Sequence, residues 1–253
     1  MTPPPPPEII VVDDVLAMGR TAARRVRRSA TTALLARGRW RIALAGGSTP
    51  RALYRELAEA SAPSDQLDWT RTDLFFGDER AVPPDHADSN YLMVRDTLLS
   101  RITIPTVNVH RMEGEAPDLD AAAARYAAQL GEPALDLAIL GMGADGHTAS
   151  LFPGTTALAE RDRRCVSVAV PALATSRITL TYPVFEAARE IIFLIAGPDK
   201  AATLKRVIEG PYQPDQLPSQ AIIRGEGSGR GAVAIFCDRG AAAELSTISR
   251  PHS

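Results

Sequence analysis

Eight short apolar runs rich in β-branched residues recur along the chain with helical patterns between them, and this alternation limits the fold more than any other feature. The runs are Ile9 to Val12, Ile42 to Ala45, Asp73 to Phe76, Leu135 to Leu140, Val166 to Val170, Ile178 to Thr181, Ile191 to Ile195 and Val233 to Cys237. Most are apolar at successive positions rather than at every second one, the pattern of strands in a parallel sheet covered on both faces. Alternating β and α segments then predict an open, mostly parallel, doubly wound α/β sheet with helices on both faces. No strong linker or internal repeat interrupts the 253 residues, so residues 8–253 are expected to form one α/β domain. The run Pro3 to Pro7 makes residues 1–7 an expected disordered, polyproline tail. The first helix, expected over Asp13 to Ala36, carries Val15, Met18, Ala22, Val26 and Ala33 on one face and Arg20, Arg24, Arg27 and Arg28 on the other.

That arginine stripe reads as a solvated face, because 28 basic against 30 acidic side chains leave a net charge of -2 and no field to hold a phosphate backbone. Nucleic acid is therefore not expected as a main partner. Cys165 and Cys237 have no CxxC or Cys/His spacing and read as reduced core residues of a cytoplasmic protein. No apolar run approaches the roughly 20 residues that cross a bilayer, and no basic, then apolar leader precedes Ile9. Neither a membrane partner nor secretion is expected.

Three segments carry chemistry. In Leu44-Ala45-Gly46-Gly47-Ser48-Thr49-Pro50-Arg51 a strand meets a glycine turn and a helix opened by proline. The glycines let backbone approach an anion, Ser48 or Thr49 suits a helix cap, and the helix N-terminus presents N–H groups and a positive dipole. The segment lacks the GxxxxGK[ST] and GxGxxG spacings, and it reads equally as an ordinary strand-to-helix turn. In Phe75-Phe76-Gly77-Asp78-Glu79-Arg80 an apolar strand ends in two acids and an arginine, suited to acid/base work, to an anion clamp, or simply to a solvated turn. The third is Leu140-Gly141-Met142-Gly143-Ala144-Asp145-Gly146-His147-Thr148-Ala149-Ser150-Leu151-Phe152-Pro153-Gly154. Here His147 emerges from a glycine-dense loop after a strand, where packing has little need of imidazole, so it reads as a proton acceptor near neutral pH. Arg177 and Lys200, at strand and helix ends, are candidate phosphate contacts only in combination.

In this order, the segments G-G-S-T-P, F-F-G-D-E-R, D-S-N-Y, G-M-G-A-D-G-H-T-A-S-L-F-P-G, S-R-I-T-L-T and G-P-D-K-A resemble the 6-phosphogluconolactonase family over nearly the whole chain from Ile9. The resemblance implies a Rossmann-like fold, hydrolysis of the small-molecule substrate 6-phosphoglucono-1,5-lactone, and no metal or organic cofactor. It also implies roles: His147 as the base that activates water, Asp78 and Arg80 beside the lactone, and Gly46, Gly47, Ser48, Thr49, Arg177 and Lys200 around the phosphate. The related glucosamine-6-phosphate deaminases share the G-G-S-T-P turn but resemble D-G-H-I-A-F-N-E-P-G at the third segment. This chain has Ser150-Leu151-Phe152-Pro153 there and lacks that glutamate, which counts against deaminase chemistry.

Overall fold

The computed structural model describes residues 5–59, 66–225 and 231–246. Strand β1 (Glu8–Val12) leads to helix α1 (Val15–Arg37), then β2 (Trp40–Leu44), α2 (Arg51–Ala58), β3 (Thr72–Phe76), β4 (Asp78–Arg80), α3 (Asn90–Thr97), α4 (Leu119–Leu130), β5 (Leu137–Leu140), β6 (Cys165–Val170), β7 (Thr175–Leu180), α5 (Tyr182–Glu186), β8 (Glu190–Ile195), α6 (Ala201–Glu209), α7 (Ser219–Arg224) and β9 (Ala232–Asp238). Six strands form one parallel sheet in the order β1-β9-β8-β5-β2-β3. Of the expected Pro-rich tail, residues 1–4 lie outside the described residues, and Pro5 to Pro7 have no regular secondary structure.

Both faces of this sheet are buried, as the uninterrupted apolar runs require. Ile42, Leu44, Leu74, Phe76, Leu137, Ile139, Ile192 and Leu194 pack with Met18, Ala22 and Val26 of α1 on one face. The residues between them, including Ala43, Phe75, Ala138, Leu140, Ile191 and Phe193, pack on the other face with Tyr126 of α4 and Leu204 and Val207 of α6. The two-residue strand period thus feeds two cores from one sheet, and each fully buried Leu, Ile or Phe contributes about 1.5–3 kcal/mol. Asp14 starts α1 by accepting the Ala17 N–H at 2.7 Å, and Gly38, at φ 73°, ends it.

The runs at Val166 to Val170 and Ile178 to Thr181, expected with the other strands in the parallel sheet, lie outside it. β6 and β7 pair antiparallel with each other, and β7 pairs antiparallel with β4, in a separate three-stranded sheet ordered β4-β7-β6. The reason is connection length: only residues 171–174 join β6 to β7, too few for the crossover that parallel neighbours need. One residue joins the two sheets. Gly77 donates its N–H to the carbonyl of Leu44 in β2 at 2.9 Å, and its own carbonyl accepts the N–H of Leu180 in β7 at 2.9 Å.

Candidate active site

From β2 the chain moves to β3 on one side and later returns to place β5 on the other, so the strand order reverses between β2 and β5. The crevice beyond the C-terminal strand ends at such a switch point is where open α/β sheets bind ligands. A cavity of about 220 Å³ lies there. Its walls bring together the turn Gly46, Gly47, Ser48, Thr49 after β2, Asp78 and Arg80 on β4, His147 after β5, and Lys200 after β8. Eight of the nine residues expected at the site thus meet in one cleft. Arg177 is the exception: it lines an adjoining pocket with Arg80, Asp88, Leu173 and Thr175, and Arg80 lines both.

The β2 turn reaches the cleft by close approach. A Cβ on Gly46 would lie 1.7 Å from the Asn90 side-chain oxygen, so only glycine fits. Neither Ser48 nor Thr49 caps α2: Pro50 holds the N-cap position without a side-chain hydrogen bond. Beside the turn, Lys200 is ion-paired with Asp199 at 2.7 Å.

The β5 loop is held on several sides. Gly143 donates to the His147 carbonyl at 2.9 Å, Ser219 donates its N–H to the Gly146 carbonyl at 2.9 Å, and Thr148 Oγ1 donates to the Gly141 carbonyl at 2.8 Å. A Cβ at Gly143 would come within 2.1 Å of the imidazole, so glycine makes room for the ring. His147 Nδ1 lies 2.5 Å from Asp145 Oδ1, and the ring stacks on Phe152 with centroids 4.0 Å apart. An ionised carboxylate only accepts, so Nδ1 carries the proton of the neutral ring and Nε2 holds the lone pair. Burial pushes the Asp145 carboxyl up, but the hydrogen bond and charge of His147 outweigh it and hold the group below its usual range.

The two acids of β4 differ. Glu79, 2% exposed, accepts the N–H groups of Arg80, Asn90 and Tyr91 and the hydroxyl of Ser89, so it anchors the start of α3. Burial pushes its carboxyl up, opposed by those N–H bonds. Asp78 instead lines the cleft. Its Oδ2 accepts from Ser150 Oγ at 2.6 Å and its Oδ1 from Asn90 Nδ2 at 3.1 Å. Burial, and then the neighbouring charge of Arg80, lower the Arg177 guanidinium from its ordinary value, and Arg177 Nε is buried without a hydrogen-bond partner among the described residues. Asp145, Asn90 and Ser150 were not among the expected site residues. Asp145 was detectable from its place two residues before His147, whereas Asn90 and Ser150 act on a residue distant in sequence.

Comparison with known proteins places these observations. The family model described as glucosamine-6-phosphate isomerases/6-phosphogluconolactonase matches residues 13–230. The chain is 42% identical over 228 residues to a 6-phosphogluconolactonase of Nostoc sp., covering 85% of this chain and 88% of that protein. It is 41% identical over 225 residues to a 6-phosphogluconolactonase of Rattus norvegicus, covering 86% and 85%. The crystal structure of 6-phosphogluconolactonase from Thermotoga maritima superposes with a TM-score of 0.76 at 28% identity, covering 91% of this chain and 99% of that one. With the match running from α1 to beyond α7, the chain belongs to the glucosamine-6-phosphate isomerase/6-phosphogluconolactonase family.

Proposed function

We infer that the chain is a 6-phosphogluconolactonase, hydrolysing 6-phospho-D-glucono-1,5-lactone to 6-phospho-D-gluconate in the oxidative pentose phosphate pathway. The observation that carries the catalytic reading is His147, fixed by Asp145 and Phe152, facing the same cleft as the β2 glycine turn and Lys200. Nε2 takes a proton from water as the water oxygen attacks the lactone carbonyl. Arg80 and loop N–H groups stabilise the oxyanion, the bond from the carbonyl carbon to the ring oxygen breaks, and the imidazolium returns the proton to that oxygen. No covalent intermediate and no cofactor enter the cycle. Asp78 stands beside the lactone.

The phosphate is held by Gly46, Gly47, Ser48 and Thr49 at the positive end of α2, with Lys200 closing the site. Arg177 adds to the positive field from behind Arg80 rather than from the cleft wall. Residues 8–253 work as one catalytic domain, and no helix among the described residues is long and apolar enough to cross a membrane. The two cysteines are buried and unpaired, which suits a cytoplasmic enzyme. Titration of the acid released from enzymatically generated 6-phosphogluconolactone, against an enzyme-free blank, tests reaction and substrate together. Release of ammonia from glucosamine 6-phosphate instead would overturn the assignment.

A further inference from the structure

We propose that Ser150 is a positioning residue, a brace that ties the loop carrying His147 to the strand carrying Asp78 and so fixes how the lactone ring lies against the base. The inference rests on the hydrolase reading above. Ser150 is three residues past His147, yet its hydroxyl reaches across to β4 and donates to Asp78 Oδ2 at 2.6 Å. Both groups are buried, with Ser150 1% and Asp78 9% exposed, which strengthens the bond relative to one at the open surface. The backbone is bent to make it. Thr148 and Leu151 close a tight turn through the Leu151 N–H to the Thr148 carbonyl at 2.9 Å, and within it Ala149 adopts φ 48°, the left-handed region that side chains other than glycine rarely occupy. That conformation turns Ser150 inward, where its N–H also meets Thr179 Oγ1 at 3.3 Å, on the β7 residue paired with Asp78.

Asn90 holds the other side of Asp78, donating Nδ2 to Oδ1 and, at 2.9 Å, to the Asp78 carbonyl. Each carboxylate oxygen thus has one fixed donor and keeps acceptor capacity for a ligand. A carboxylate held this way in a cleft wall suits the hydroxyl groups of a polyhydroxylated ring. The brace therefore serves alignment of the ring, while binding strength comes chiefly from the phosphate.

A double-mutant cycle tests this, with steady-state kinetics on 6-phosphogluconolactone for wild type, Ser150→Ala, Ser150→Thr, Asp78→Ala and the Ser150→Ala/Asp78→Ala pair. Ser150→Ala should lower kcat about tenfold or more with KM changed less, and Ser150→Thr, which keeps the hydroxyl, should recover much of the loss. In the Asp78→Ala background, where no side-chain acceptor remains for the Ser150 hydroxyl, the same alanine substitution should change kcat/KM by less than about twofold. Multiplying effects in the pair, or a Ser150→Ala enzyme equal to wild type, would overturn the proposal. If Ser150→Ala does not fold, Ser150→Cys carries the cycle, with the same loss expected beside Asp78 and none in the Asp78→Ala background. A wild-type protein without lactonase activity would overturn the underlying reading, and this inference with it, whereas an active wild type with multiplying effects overturns the brace alone.

Discussion

His147 and Asp145 meet side chain to side chain at 2.5 Å although only one residue separates them, and the Asp145 carboxylate also accepts the His147 backbone N–H at 3.1 Å. One carboxylate therefore fixes both the ring and the main chain that bears it. His147→Asn keeps a polar group of similar reach but removes the basic nitrogen. It should fold with an unchanged thermal midpoint and bind 6-phosphogluconate near normally, while kcat falls by about 10² to 10⁴. A variant that retains most of its kcat would make the histidine structural and move the base to Asp78, Glu79 or Asp145.

Lys200 lines the cleft, and its ion pair with Asp199 spans adjacent residues at the surface. A charge-assisted hydrogen bond to phosphate contributes about 1.5–3 kcal/mol, so Lys200→Ala should raise KM about tenfold or more with a smaller change in kcat. Glucono-1,5-lactone without phosphate should be a poor substrate for the same reason. Arg177→Ala, acting from outside the cleft, should raise KM less than Lys200→Ala. The reverse order would move the phosphate toward the pocket shared by Arg80 and Arg177.

Chelation should leave activity intact. Among the described residues no three His, Cys, Asp or Glu side chains converge as metal ligands, and the water-activating role is assigned to His147. Loss of activity in EDTA with recovery on adding Zn²⁺ or Mn²⁺ would overturn the general-base route.

Glu79 holds the start of α3 through the N–H groups of Asn90 and Tyr91. Removing the carboxylate leaves several buried donors unpaired, but it also relieves the cost of a buried charge, so the net loss is smaller than the sum of the bonds. Glu79→Ala should destabilise by about 2–4 kcal/mol, read as a lower denaturant midpoint. No loss of stability would show that the network contributes only geometry.

His110 stacks on Phe75 with centroids 4.4 Å apart, and burial lowers its pKa below the ordinary 6.5 in spite of Asp73 nearby. Between the folded and unfolded values the unfolded chain binds more protons, so stability falls as pH drops through about 6.5 and levels off below the folded value. His110→Phe keeps the stack and removes the titration. Denaturation at about pH 7.5 and about pH 5.5 should show a shallower dependence in the variant. An unchanged slope would place the pH sensitivity elsewhere.

Much of the fold was legible because strands buried on both faces have little choice of composition. Ile42 to Ala45 and Ile191 to Ile195 read as strands from their own residues, and the loop after each strand could be assigned to the ligand end before any contact was known. Sheet membership was not legible. Val166 to Val170 is as apolar as a central strand, and what removes it from the parallel sheet is a short connection to its partner. The strand Asp78–Arg80 is three charged residues, too short and too polar to show a period, and it exists because β7 pairs with it. At the site, turn chemistry and the loop histidine were readable locally. The Asp78 supports were not, since Ser150 lies 72 positions away and Asn90 12.

The two hydrogen bonds of Gly77, N–H to β2 and carbonyl to β7, make this residue a weld between two sheets with different duties. The β2 turn and Lys200, assigned to the phosphate, ride on the large sheet, whereas Asp78, Arg80 and Arg177 ride on the small one. The gap between anchoring point and reacting carbon thus depends on this residue together with the Ser150–Asp78 contact, both of which hold the small sheet to the large one. Enzyme redesign for longer or shorter phosphorylated lactones would gain more from moving that weld, or from exchanging β4, β7 and β6 together as a cassette, than from reshaping the loops one residue at a time.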